Sequence, residues 1–198
     1  MRFVISPLVA GTAVAGLAAS LALPSRAAPA ETTTAAQVTS ASSPHAVIDE
    51  PIIRGEKTWD SEKLGRGHVT TAVRYPMKPP VGGDHHPVWM NCDGDVYDEP
   101  VPDVNAVHSL EHGAVWVTYN DRAPAAEVRK LGEKVGRTPY TMMSPVHDQT
   151  GVIMLTAWGR QLAVGSADDP RVDRFLTTYV QGPQTPEPGA TCTGGLSG

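Results

Sequence analysis

Cys92 and Cys192 are the only two cysteines of this 198-residue chain, and no other pair of residues constrains its fold as much. They occur singly, so neither belongs to a Cys-x-x-Cys redox or zinc pair. Joined, they tie the extreme C-terminus to the middle of the chain and close a loop of about 100 residues, which chain entropy values at roughly 4–5 kcal/mol. Such a bond persists in an oxidising compartment, and the N-terminus reads as the address for one. Arg2 precedes an apolar run from Phe3 to Leu23, broken by Pro7, Gly11 and Gly16, and small residues follow at Ala27, Ala28 and Ala30. A positive start, an apolar stretch and a small-residue exit form the pattern of a secretory signal peptide over residues 1–30, cleaved after Ala30 or after Ala27. An uncleaved anchor is the rival reading, since the stretch approaches the roughly 20 residues that span a bilayer. The glycine and proline breaks favour removal, so no membrane span is expected in the mature, secreted or extracytoplasmic chain.

Residues 31–47 are dominated by Thr, Ser and Ala without apolar periodicity and read as a flexible linker. A single domain is expected over 48–198. His68 to Tyr75 alternates like a strand, Pro76 to Pro87 is a Gly- and Pro-rich loop, and Asn91 to Asn105 is an acidic loop. Ala114 to Tyr119 is the clearest strand. Pro124 opens an amphipathic helix with Ala125, Val128, Leu131 and Val135 on one face, ended by Gly136. Tyr140–Met143 and Gly151–Trp158 predict two further strands, the second apolar enough to be central. Asp169 is an N-cap ahead of Pro170, and Val172, Phe175, Leu176, Tyr179 and Val180 form the stripe of a last helix. The resulting class is α+β: a small mixed or antiparallel sheet with two helices packed on one face, loop-rich, with one disulfide. The net charge of −5, with both signs interspersed, excludes the basic stripe that binding to nucleic acid requires.

Three strings occur in order: Pro79-Pro80 with Gly83-Asp84-His85-His86, then His108-Ser109-Leu110-Glu111-His112-Gly113, then Thr156-Ala157-Trp158-Gly159-Arg160. In these strings the chain resembles a bacterial family catalogued as domain of unknown function 3105, over most of residues 68–190. The resemblance implies one exported or membrane-anchored domain and attaches no particular reaction to it. It directs attention to His108, His112 and one of His85 and His86.

His108 and His112, four residues apart, project from one face of a helical turn and can share a metal ion. His85 or His86 can fold back as a third ligand, with Met90 a further candidate. Glu111 is expected behind a ligand, orienting an imidazole. Imidazole suits Cu(II) and thioether suits Cu(I), so copper is the favoured ion, with zinc the alternative. Met142 and Met143 read as members of a strand. His45, His68 and His147 stand apart in sequence and read as solvated or hydrogen-bonded. The expected role is extracytoplasmic metal handling, with a metal ion and another exported protein as partners. The competing reading is a non-catalytic interaction module, envelope-associated or secreted, in which the same histidines are structural.

Enzymatic readings find less support. His108-Ser109-Leu110-Glu111-His112 satisfies the H-x-x-E-H pattern of inverted zinc peptidases, but Gly113 and a strand follow where that motif needs a long helix. A blue-copper site needs a free thiolate that a Cys92–Cys192 bond removes. No G-x-S-x-G elbow surrounds Ser109, and the acidic residues from Asp93 to Asp103 depart from a calcium-loop spacing.

Overall fold

The computed structural model describes residues 53–198. The expected signal peptide, the linker and the domain start at Ile48 lie outside the described residues. Those residues form a six-stranded mixed sheet with three α-helices. The strands are β1 (Glu56–Thr58), β2 (Asp93–Val96), β3 (Val115–Tyr119), β4 (Thr141–Pro145), β5 (Ile153–Ala157) and β6 (Arg160–Val164). The helices are α1 (Asp103–Glu111), α2 (Ala125–Val135) and α3 (Pro170–Tyr179). The spatial order is β1-β6-β5-β3-β4-β2, with β3 and β2 parallel to β4 and the remaining pairs antiparallel.

Strand alternation sorts the core into two apolar clusters. Val115 and Val117 of β3, Met143 of β4 and Leu155 of β5 pack with Leu131 and Val135 of α2 and with Val172, Phe175 and Leu176 of α3. Trp116 and Met142, one residue out of phase, pack instead with Ala106, Val107 and Leu110 of α1. The two expected helices therefore share one layer, and α1 covers the other. Asp169 caps α3 as its sequence predicts, accepting a hydrogen bond from the Arg171 N–H at 2.9 Å. Lys130 and Lys134 of α2 pair with Asp168 and Asp173.

Four elements depart from expectation. The alternating segment 68–75 is not a strand: its only pairing is a single bridge between His68 and His85, and Thr70, Thr71 and Ala72 are exposed. Alternation without a neighbouring strand to accept its hydrogen bonds does not make a ladder. Part of the acidic loop is instead strand β2, a poor β sequence placed at the sheet edge beside Cys92 and paired with β4. β1 and β6 complete the other side, and β5 turns into β6 through Trp158 and Gly159, the latter at φ +66°. Cys92 and Cys192 are joined, with Cα atoms 4.7 Å apart, so the C-terminal segment 182–198 is strapped across the α1 side. No helix among the described residues is long and apolar enough to cross a membrane.

Candidate metal centre

The site is built where α1 meets two glycine-rich loops. Ala106, Val107 and Leu110 anchor the helix to the sheet, which turns the opposite side toward the segment 86–90. That segment is clamped along the helix. Asn105 Nδ2 donates to the Val88 carbonyl at 2.6 Å, Ser109 Oγ donates to the Met90 carbonyl at 2.8 Å, and the Met90 N–H donates to Ser109 Oγ at 3.1 Å. Ser109 is fully committed to this clamp. The helix stops at Glu111 because Gly113, at φ +90°, turns the chain into β3, and a Cβ there would stand 2.4 Å from Gln181 Nε2.

The second loop runs through Gly65 and Gly67 and lies against Asp84. The Gly67 N–H donates to Asp84 Oδ1 at 2.8 Å, and a Cβ on Gly65 would come within 2.4 Å of the same oxygen. Backbone bonds from the Val69 N–H to the His85 carbonyl and from the His85 N–H to the Gly67 carbonyl zip the two loops together. This zipper places His68 beside His85. Trp158, at the tip of the β5–β6 hairpin, sits edge-on beneath the His85 ring at 6.1 Å between centroids.

The imidazoles of His68, His85 and His108 form a nearly equilateral triangle, with centroids 4.9, 4.9 and 4.8 Å apart. Glu111, one helical turn from His108, brings Oε2 to 2.8 Å from His85 Nε2 and 3.7 Å from His68 Nε2. One ligand atom from each of these four residues lies within 4.8 Å of all the others. Ligands about 2.0–2.2 Å from a tetrahedral ion stand roughly 3.4 Å apart; rotation of the half-exposed His68 would close the wider gaps, while His85 Nε2 and Glu111 Oε2, now 2.8 Å apart, would have to part slightly.

Tautomers are fixed by backbone oxygens, which only accept. His85 Nδ1 lies 2.8 Å from the Gly83 carbonyl and His108 Nδ1 lies 2.7 Å from the His86 carbonyl, so each Nδ1 carries the hydrogen. The Nε2 lone pairs are thereby freed for a cation, the arrangement that metal-bound histidines use. His85 Nε2 and Glu111 Oε2 are buried and close, yet lack an aligned hydrogen bond. At this separation the two atoms suit a shared proton, or a metal ion once they part, because a buried polar atom left without a directed partner is costly.

Charge is divided unevenly within the group. Burial, reinforced by the neighbouring imidazoles, pushes His108 down to about 4, so it is neutral at physiological pH. Burial also disfavours charge on His85, but contact with Glu111 and the Gly83 carbonyl outweighs it and raises its pKa. Glu111 is pushed up by burial and held down more strongly by His85, which leaves it below its ordinary range.

Of the residues expected to bind metal, His85 and His108 enter this group and His86 and His112 do not. The His86 ring turns the other way: its Nδ1 accepts from the Val88 N–H at 3.1 Å. His112 touches His108 edge-on at 4.5 Å, but its Nδ1–H is held by the Thr191 carbonyl at 2.7 Å and its Nε2 faces Glu187 at 3.9 Å. Helical spacing brings these two rings together without converging their ligand atoms. Met90 is buried in the α1-side apolar cluster, as is Met142, while Met143 faces the other. Glu111 stands level with the imidazole nitrogens rather than behind them. His68, read in sequence as isolated, is the third corner of the triangle. Its partner His85 lies 17 residues away, and only the loop zipper brings them together; Gly65 and Gly67 just before His68 were the one local signal.

The fold and site define an α+β domain, disulfide-strapped, with a largely buried three-histidine, one-glutamate group that could hold a metal ion. The family profile described as "Protein of unknown function (DUF3105)" matches residues 68–194. The chain belongs to this family. No curated protein matches it, and no solved structure does.

Proposed function

We propose that this protein binds one divalent transition-metal ion through His68, His85, His108 and Glu111 and handles that ion outside the cytoplasm. The carrying observation is the imidazole triangle closed by a buried carboxylate, with the Nδ1–H of His85 and of His108 each held by a backbone carbonyl. Three imidazoles and a carboxylate are borderline to hard ligands. Neither thiolate nor thioether joins them, which favours Cu(II) first, as the tightest-binding divalent ion for such a set, and Zn(II) second, over Cu(I). The carboxylate would offset part of the ion's charge in a largely buried setting. Export is supported by the apolar run from Phe3 to Leu23 and by the oxidised pair Cys92–Cys192. A metal-carrying protein in that compartment needs a donor or an acceptor, so we infer a second exported protein as its partner.

The test is a competition titration of the full chain with Cu(II) and Zn(II) against a chromophoric chelator, beside His108→Ala. Uptake of one equivalent by the wild type, lost in a variant that retains its circular dichroism spectrum, supports the reading. Equal weak binding by both proteins refutes it and leaves the histidines structural.

A further inference from the structure

His112 is buried, its side chain only 5 % exposed, yet its Nε2 makes no hydrogen bond among the described residues. The Thr191 carbonyl holds the hydrogen on Nδ1, so Nε2 presents a lone pair. What it faces is the Glu187 carboxylate at 3.9 Å, and that side chain is 53 % exposed. Glu187 does not approach by chance of a loose tail. Its own N–H donates to the Glu111 carbonyl at 3.1 Å, Gln181 Nε2 bonds the His112 carbonyl, and Cys192 fastens the strap to Cys92. An imidazole lone pair opposite a carboxylate, about 4 Å apart, spans a cation bonded at about 2.0–2.2 Å to each. On its inner side the His112 ring meets His108, and Trp89 packs against both rings, at 5.0 and 5.6 Å.

We propose that His112 and Glu187 form an outer cation station through which a divalent metal ion enters and leaves the inner group. This rests on the inner group binding metal as proposed above. Two ligands make a weak site, and four make a strong one. An ion captured by the half-exposed Glu187 and the His112 lone pair lies against the ring that packs on His108, which would shorten its passage through a buried, low-dielectric space. The negative charge of Glu187 at the mouth also raises the local cation concentration. A station on the path lowers the barrier in both directions and leaves the end states unchanged, so it is legible in rates and not in affinity.

The experiment mixes the full chain rapidly with Cu(II) and follows quenching of tryptophan fluorescence, for which Trp89 is well placed; a chelator chase then gives release. Glu187→Gln carries the test, because that side chain is half exposed and makes no hydrogen bond on which the fold relies. Expected is a slowing of uptake and release together, by about tenfold, within the range of electrostatic guidance, with the dissociation constant unchanged. His112→Gln should slow both rates further. Unchanged rates in Glu187→Gln, a selective change in affinity, or two tight equivalents per chain would overturn the station while leaving the inner site intact. Absence of stoichiometric Cu(II) uptake by the wild type would refute the inner site itself, and the station with it.

Discussion

Glu111 Oε2 lies 2.8 Å from His85 Nε2, both groups fully or nearly fully buried, and no aligned hydrogen bond joins them. A carboxylate and an imidazole so placed hold a positive charge between them, whether a proton or a metal ion. Without metal, the pair itself supplies the proton, which is why His85 is raised and Glu111 lowered. Protons and metal therefore compete for this pair, and metal affinity should fall on acidification, which chelator competition at several pH values reads.

Glu111→Gln keeps the shape and removes the charge. Loss of metal affinity by at least tenfold is expected, since even residues that only support a ligand contribute about 10–100-fold. The His85 pKa should also fall in the metal-free protein, which an NMR titration of the ring protons would read. An unchanged affinity would remove Glu111 from the ligand set.

His68 and His86 separate the triangle from the simple sequence pattern. His68→Ala should weaken Cu(II) binding by about tenfold or more with little loss of stability, because that ring is half exposed. His86→Ala leaves all four ligand atoms in place and should change affinity far less. The chelator competition ranks the two directly, and the reverse order would contradict the geometry.

The metal-free protein should lose stability on acidification. His108 is depressed to about 4 from its ordinary 6.5, so the unfolded chain binds more protons between those values. Its contribution is complete above pH 6.5 and declines toward pH 4, by up to about 3 kcal/mol. The lowered Glu111 acts in the same sense, losing its contribution below its ordinary 4.5. His85, being raised, acts oppositely: its contribution is present below 6.5 and fades as pH rises through its folded value. Denaturant midpoints at pH 7 and pH 5 check the balance, and His108→Gln should show a shallower acid loss than the wild type.

Ser109→Ala tests the clamp on the histidine-bearing loop. It leaves the Met90 carbonyl without its donor and removes the second acceptor of the Met90 N–H, both in a buried setting. A loss of about 1–3 kcal/mol is expected in chemical denaturation. A larger loss of metal affinity than of stability would show that the clamp positions the loop rather than merely holding it.

Replacing both cysteines by serine releases the strap that carries Thr191 and Glu187. A cost of about 2–5 kcal/mol is expected for losing such a cross-link. The His112 ring also loses its fixed carbonyl partner, so its Nδ1 signal in NMR should begin to exchange faster with water.

How much of the chain was legible depended on where the information lay. Strand β3, helices α2 and α3, the Asp169 cap and the two-helix layer were readable, because apolar periodicity and capping chemistry are properties of neighbouring residues. The pairing of Cys92 with Cys192 followed from their number and the expected compartment. His108, His112, one of His85 and His86, and Glu111 behind a ligand were read as one constellation, of which His85, His108 and Glu111 lie together. Strand β2 was not, since Asp93-Gly94-Asp95-Val96 has no β preference of its own and exists as a strand because β4 offers it an edge. The segment 68–75 failed in the opposite sense, alternating without a partner to pair with.

The sequence by itself determined the α+β class, the apolar stripes that bury two helices on one layer, and the presence of a histidine-rich turn before a buried strand. Only the tertiary structure decided which histidines meet. His108 and His112 share a helical turn, but backbone carbonyls from two distant segments aim their rings at different places, one at His85 and Glu111 and the other at Glu187. His68 joins the first set only through a loop zipper that glycines permit. Ligand convergence is a matter of where lone pairs point, and that is set by hydrogen bonds between parts of the chain that the linear order keeps far apart.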